Sequence, residues 1–300
     1  MAAKIPFVRD MSFEYGVPQQ VSPLIRRVVA ENPGPFTFRG TGVYIVGHGE
    51  VAVIDPGPDM PAHIDLLLKA LDGETVTHIF VTHGHMDHSP AARPLAAATG
   101  APVIGCAPLT LETVGPRADA SFDVDYAPDR VLADGEGIAV DGLRLVAVAT
   151  PGHTSNHLCF ALEGGASDGA LFTGDHVMGW STTVVFPPDG DMGDYMASLD
   201  KLRQRKDRIY YPAHGPAVTK PAQLVRGMIG HRMQRERQIL KRLGDGDRTI
   251  GAIVASSYPG LDPRLVPAAG GSVMAHLMDL TRRGLVEAAE DQWKLTTPKD

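Results

Sequence analysis

The run HIFVT (78–82), followed at once by HGHMDH (83–88), decides how this chain is read. A short β-favouring segment ends in a loop that carries four potential metal ligands, His83, His85, Asp87 and His88, within six residues. Alternate residues of such a loop project to opposite sides. Two imidazoles can therefore address one cation while an Asp and a third imidazole address another. Packing these groups together is costly without a cation. Nitrogen and carboxylate donors suit zinc, and manganese or iron would accept the same set.

Working outward, the same arrangement recurs at other strand ends. Short apolar runs separated by Gly, Pro and Asp read as strands: TGVYIVG (41–47), VAVID (51–55), PVIG (102–105), LRLVAVA (143–149), HLCFAL (157–162), ALFT (170–173) and RIYYP (208–212). Three of them lead into single ligand-type residues flanked by Gly or Pro: His153 in TPGHTSNH, Asp175 in FTGDH and His214 in YYPAHGP. Their shared context places them in one site with the first loop. Between strands, Ile64, Leu67, Leu68 and Leu71, then Leu95 in the Ala-rich segment 90–99, then Met196, Leu199 and Leu202 fall at helical spacing. Strands alternating with helices make a mixed α/β body.

The pattern changes after Pro221. A long basic helix is expected over 222–243, followed by a compact unit in which Thr249 caps a helix through Ser256 and Ser272 caps another through Arg283. LVEAA and QWKLT then read as two short strands around a turn, so the unit looks like a winged helix. We therefore divide the chain into a body, 1–219, and an appendage, 220–300. The appendage carries 13 Lys/Arg against 9 Asp/Glu, the body 15 against 26.

Composition removes several classes. With 43% apolar and 21% charged residues, the chain is neither disordered nor collagen-like, and a net charge of −7 disfavours nonspecific coating of nucleic acid. Two cysteines, Cys106 and Cys159, sit outside any C-x-x-C pattern, so a disulfide framework and a thiolate zinc site both lack material. A reducing cytoplasm is the expected compartment, with no secretory leader and no membrane span.

The HGHMDH loop, the PGHT segment, FTGD and the late His of PAHGP, together with Asp55-Pro56-Gly57, resemble the metallo-β-lactamase superfamily over roughly residues 40–218. The resemblance implies an α+β fold, an αβ/βα four-layer sandwich with a C-terminal winged-helix-like domain. It also implies that His83, His85 and His153 hold one metal, that Asp87, His88 and His214 hold a second, and that Asp175 bridges them, with Asp55 steadying the loop from behind. The segment 171–202, then IYYPAHGPAV, HRMQRERQIL and the winged unit are similar to a β-lactamase-like subgroup that includes a single-strand-specific endoribonuclease. Ala213 stands where that subgroup usually has Gly, and His176 where it often has another residue. His176 is a candidate extra donor near the site.

Two bridged divalent ions would bind a shared water and lower its pKa, supplying a hydroxide nucleophile without Ser or Cys. Asp87 is the candidate to orient that water. The expected activity is metal-dependent hydrolysis of a small ester, thioester or lactam. The alternatives are cleavage of single-stranded RNA, a noncatalytic nucleic-acid-binding module and an iron-dependent sulfur dioxygenase; homodimerisation through the winged unit is a further candidate. Met178, Gly179 and Trp180, with Phe186, read either as a substrate wall or as core. His157 reads as structural and His48, His63 and His78 as uninvolved. Arg232, Arg235 and Arg237 read as a solvated basic face, with contact to a substrate phosphate as the alternative.

Overall fold

The computed structural model describes residues 5–109, 122–290 and 292–296. Seven strands form the first sheet in chain order: β1 (Gln19–Ser22), β2 (Ile25–Val29), β3 (Gly42–His48), β4 (Glu50–Ile54), β5 (Thr75–Val81), β6 (Val103–Gly105) and β7 (Arg130–Val131). Pairing is antiparallel as far as β4 and parallel beyond it. The second sheet comprises β8 (Gly137–Val140), β9 (Leu143–Ala149), β10 (Leu158–Glu163), β11 (Ala170–Gly174) and β12 (Ile209–Pro212), in the order β12-β11-β10-β9-β8. Only its β11–β12 pair is parallel.

Period-two alternation assigns the faces of the second sheet. Along β9, Leu143, Leu145 and Ala147 enter the core shared with the first sheet, while Val146 and Val148 turn outward. Along β10, Leu158, Phe160 and Leu162 go inward and Cys159 and Ala161 outward; Tyr211 and Tyr210 of β12 divide in the same way. Each large apolar side chain buried here contributes about 1.5–3 kcal/mol. Tyr44 and Phe172, from opposite sheets, meet with ring centroids 5.2 Å apart, and the Tyr44 hydroxyl donates to the Pro212 carbonyl at 2.7 Å, pinning the two sheets together.

Helices α1 (Pro61–Ala70) and α2 (Ala92–Thr99) bury Leu67 and Leu95 in the core of the first sheet. The outward face of the second sheet is covered by Tyr195, Leu199 and Leu202 of α3 (Met192–Gln204) and by Leu224, Val225 and Met228 of α4 (Pro221–Gly244). This is the four-layer sandwich expected from the resemblance.

The C-terminal unit has its own core. Ile239 and Leu243 from the end of α4 pack with Ile253 of α5 (Ile250–Ser257), Val273, Leu277 and Leu280 of α6 (Val266–Arg282), Val286 of β13 (Val286–Ala289) and Trp293 of β14 (Gln292–Leu295). The Thr249 hydroxyl caps α5 by accepting from Ala252 N at 3.2 Å. Ser272 does not cap α6, contrary to the sequence expectation. Pro267, preset for a first helical turn, lies at the start of that helix, which begins seven residues earlier, at Val266. Gly270 and Gly271 lie inside it. Gly271 serves a close approach, because a Cβ there would meet Phe186 Cδ2 at 1.9 Å. Among the described residues no helix is long and apolar enough to cross a membrane.

Candidate metal centre and pocket

Each candidate ligand follows the C-terminal end of a strand, so the sandwich delivers all of them to one edge. Asp55 follows β4, His83 to His88 follow β5, His153 follows β9, Asp175 follows β11 and His214 follows β12. The structure brings the seven predicted ligands together and buries all but Asp87, which keeps partial exposure. Three sets of donor atoms lie within 4.8 Å of one another: His83, His85 and His153; His83, His88 and Asp175; and Asp87, His88 and His214.

The first set converges as His83 Nε2 and His153 Nε2 on His85 Nδ1, at 3.0 and 3.2 Å. Zinc–nitrogen bonds of about 2.0–2.1 Å at tetrahedral angles place ligand nitrogens roughly 3.3 Å apart, so this spacing fits a cation. In the second set His214 Nε2 lies 3.1 Å and His88 Nε2 3.4 Å from Asp87 Oδ2. Asp175 stands between the sets, 3.2 Å from His214 Nε2 and 3.7 Å from both His88 Nε2 and His153 Nε2. His88 Nε2 is buried without a hydrogen-bond partner, an orphaned ligand atom that a divalent ion would satisfy.

Of the remaining imidazole nitrogens, those of His83, His88, His153 and His214 are anchored, which fixes their tautomers, while His85 Nε2 is buried without a partner. His153 Nδ1 donates to Val184 O at 2.7 Å, and His214 Nδ1 donates to Gly40 O at 3.2 Å. His83 Nδ1 lies 3.0 Å from Thr82 Oγ1, whose proton goes to Asp55 Oδ2 at 2.8 Å. His88 Nδ1 donates to the same Asp55 Oδ2 at 3.1 Å, and Asp55 Oδ1 accepts from Thr82 N at 2.8 Å. Asp55 thus orients His88 directly and His83 through Thr82, leaving both Nε2 atoms facing the centre. Sequence reasoning does not single out Thr82; its signal is a hydroxyl residue between the end of β5 and the first His.

The protein's own groups divide the centre into two charge regimes. Burial, followed by the neighbouring imidazoles, drives His83 and His85 well below the ordinary histidine pKa, so they are neutral donors. Burial would also lower His88 and His214. The carboxylates outweigh it, with Asp87 leading for His88 and Asp175 for His214, and they hold His88 well above the usual value and His214 at about 10. Reciprocally, burial opposes ionisation of Asp87 and Asp175, but His88 and His214 keep both carboxyls ionised far below the usual range. A cation entering the second set therefore displaces protons.

The other predicted residues divide. Trp180 and Met178 line a cavity of about 270 Å³ whose lining also includes His85, Asp87, His153 and Asp175. Trp180 stacks on Phe38 with centroids 4.8 Å apart. His176 does not line the cavity. Asp175 takes the inward direction, so its neighbour turns away and packs its ring 4.8 Å from that of Tyr195. Phe186 serves the contact with Gly271. His157 has a structural task, its Nε2 accepting from Asp175 N at 3.3 Å and its Nδ1 lying 2.9 Å from Thr150 Oγ1. His63 bonds Pro56 O and His48 bonds Pro23 O, away from the centre.

The far wall of the cavity comes from elsewhere. His231, Arg232 and Arg235 of α4 line it together with Tyr258, Leu261, Leu265, Ala268, Ala269 and Ser272 of the winged unit. Arg232 is 4% exposed and Arg235 partly buried, so the solvated-face reading holds only for Arg237.

Comparison with known proteins agrees with this architecture. Residues 37–214 match the model of the metallo-beta-lactamase superfamily, and residues 249–293 match that of the beta-lactamase associated winged helix domain. The chain is 32% identical over 280 residues to a beta-lactamase-like protein 2 homolog of Caenorhabditis elegans, covering 90% of this chain and 88% of the relative. It is 34% identical over 231 residues to an atrochrysone carboxyl ACP thioesterase of Cryptosporiopsis sp. (strain 8999), covering 75% of this chain but only 64% of that protein's length. A solved beta-lactamase domain protein from Burkholderia ambifaria superposes with a TM-score of 0.77 at 20% identity, with 96% of each chain covered.

Proposed function

Because this chain belongs to the metallo-beta-lactamase superfamily, we propose that it is a metal-dependent hydrolase whose substrate is a small thioester, with esters and lactams as the neighbouring chemistries. The observation that carries this reading is the cavity: metal-ligand residues lie on one side, and Met178, Trp180, Leu261 and Leu265 give it apolar walls drawn from both parts of the chain. A small acyl group fits such a space. The relative from Cryptosporiopsis, named as an acyl-carrier-protein thioesterase, supports the thioester among the three. The winged unit points the same way. In helix-turn-helix proteins the N-terminal part of the recognition helix contacts base edges; here the corresponding part of α6, Ala268, Ala269 and Ser272, lines the cavity.

In this reading His83, His85 and His153 would hold one ion and Asp87, His88 and His214 a second, with Asp175 lying between the two sets. Zinc is the expected occupant, with manganese or iron as alternatives. Such ions polarise an acyl carbonyl and lower the pKa of bound water. The chain's own part is to orient the reactants: Asp87 Oδ1, free of other partners, accepts from the attacking water, and Trp180 and Met178 pack against the acyl group. Water adds to the acyl carbon, the C–S bond breaks, and a carboxylic acid and a thiol leave.

The test is thiol release from a panel of acyl thioesters by zinc-reconstituted protein, beside an Asp87→Ala control purified identically. Hydrolysis by the wild type alone is expected. An end-labelled single-stranded RNA is assayed in parallel. RNA cleavage dependent on Asp87, with every thioester left intact, would overturn the reading.

A further inference from the structure

The cavity has an unbalanced charge on its far wall. The Arg232 guanidinium is buried, and a buried cation normally needs a carboxylate close by. Among the described residues it has none. Its Nη2 donates to the Thr183 carbonyl, its Nη1 to Ser272 Oγ at 3.4 Å, and its plane lies 5.1 Å from the Tyr195 ring. Arg235, one turn on, donates to Gln238 Oε1 at 2.5 Å and lies 4.0 Å over the Tyr258 ring, again without a carboxylate.

The acidic residues nearby are engaged elsewhere. Glu236 and Asp279 pair with Arg283 at 2.6 and 3.0 Å, and Asp262 pairs with Arg264 at 2.6 Å. The carboxylates that do line the cavity, Asp87 and Asp175, sit within the metal-ligand sets. His231 lies beside the pair, and burial together with Arg232 and Arg235 lowers it to about 4, so it adds a neutral hydrogen-bonding ring to the positive wall.

We propose that Arg235, backed by Arg232, is the anion-recognition pair of this cavity, and that the substrate carries a carboxylate or phosphate that reaches α4 while its scissile acyl carbon lies at the metal ligands. The inference rests on the hydrolase reading and narrows its substrate class. A guanidinium suits this task because its planar fork matches carboxylate and phosphate oxygens in pairs. Tyr258 holds the Arg235 plane from one side, which limits the entropy lost when an anion docks. The anion has two chemical sources: the free end of a dicarboxylic acyl group, or a phosphate on the thiol carrier.

Four thioesters separate the sources: succinyl and its neutral methyl ester, each carried on N-acetylcysteamine or on 4′-phosphopantetheine. The full-length, metal-loaded chain is compared with Arg235→Gln. The expected result is a kcat/KM preference of at least about tenfold for an anionic member over its neutral counterpart, collapsing toward one in the variant. Preference that follows the acyl end assigns the site to a carboxylate, and preference that follows the carrier assigns it to a phosphate. Equal use of all four by the wild type, or a preference unchanged in Arg235→Gln, overturns the proposal.

Calorimetric binding of the corresponding non-hydrolysable thioethers reads the same site without turnover. Charge-selective binding lost in Arg235→Gln, with no thioester hydrolysed, would sink the thioesterase reading and leave the anion site standing. Binding blind to charge would sink the anion site whatever the turnover. Arg235-dependent binding of a single-stranded oligonucleotide, with both thioether classes unbound, would transfer the pair to phosphodiesters and also overturn the proposal. Thermal melting of the variant within a few degrees of wild type is the folding control.

Discussion

Replacing Asp55 by Ala removes one carboxylate that three hydrogen bonds converge on: Thr82 N at 2.8 Å, Thr82 Oγ1 at 2.8 Å and His88 Nδ1 at 3.1 Å. Thr82 and His88 are both fully buried, so no water replaces the lost acceptor. An unpaired buried N–H costs about 1–3 kcal/mol, and two are left, giving about 2–6 kcal/mol of lost stability. Melting temperature should fall by roughly 2–4 °C per kcal/mol. Metal affinity should fall about 10–100-fold, as is usual when the partner behind a ligating His is removed.

Asp55→Asn separates these two effects. The amide oxygen still accepts from Thr82 N, so much of the stability is kept. Its NH2 group, however, faces His88 Nδ1–H as donor against donor and reverses the polarity at the Thr82 hydroxyl. Both His88 and His83 are then pressed to carry their proton on Nε2, the atom that faces the centre. We expect Asn to melt close to wild type yet bind zinc about tenfold more weakly or worse, read by calorimetric competition against a chelator of known affinity. An Asn variant that binds zinc within threefold of wild type would refute the idea that Asp55 sets the ligand tautomers.

Gly271→Ala drives a methyl group into the Phe186 ring. Overpacking of this kind costs about 1–3 kcal/mol, so a lowered melting temperature and a raised KM are expected; an unchanged melt would mean the winged unit is free to shift. His276 is buried in α6 with neither ring nitrogen bonded, and burial, then the surrounding arginines, lower it to about 3. The unfolded chain takes up a proton near pH 6.5 and the folded chain does not until about 3, so its contribution to stability is complete above pH 6.5 and is lost as pH falls toward 3. Denaturant melts from pH 7.5 to 4.5 should show a wild-type slope steeper than that of His276→Gln by up to about 1.4 kcal/mol per pH unit; parallel slopes would remove His276 from the acid response.

The centre was legible because its chemistry is crowded into the sequence. HGHMDH has few uses other than holding cations, and His153, Asp175 and His214 declare themselves by following apolar runs that end in Gly or Pro. The hairpin β1–β2 was not legible, because Arg26 and Arg27 interrupt its apolar pattern; the structure explains them, with Arg26 paired to Glu74 and Arg27 bonded to Gln19 and Gly215. Arg232 looked like surface for the opposite reason. A charged residue in a basic helix carries no sign that a carbonyl, a hydroxyl and a tyrosine face from three other elements will enclose it. Local chemistry favours Ser272 as a cap, yet the helix begins at the turn containing Pro267. For Arg26 and Arg232 the unreadable part is a contact between residues distant in sequence.

The helix α4 decides how far the two parts of the chain can be separated. Its first half covers the outward face of the second sheet with Leu224, Val225 and Met228, and its second half supplies Ile239 and Leu243 to the winged core. A chain ending at residue 219 would uncover Val148, Leu171 and Tyr210 along that sheet, each now less than one-tenth exposed, and is expected to aggregate even though all seven candidate ligands remain. A chain ending at residue 244 keeps the sheet covered and keeps His231, Arg232 and Arg235, but it loses Tyr258, Leu261, Leu265 and Ser272 from the cavity wall. Its zinc stoichiometry should match that of the full chain, while KM for thioesters rises and the preference among acyl groups flattens. Full-length selectivity in the 244-residue chain would show that the winged unit has no part in choosing substrate. Loss of zinc from it would show that the centre depends on the winged unit, which the anchoring of its ligands within the first 214 residues argues against.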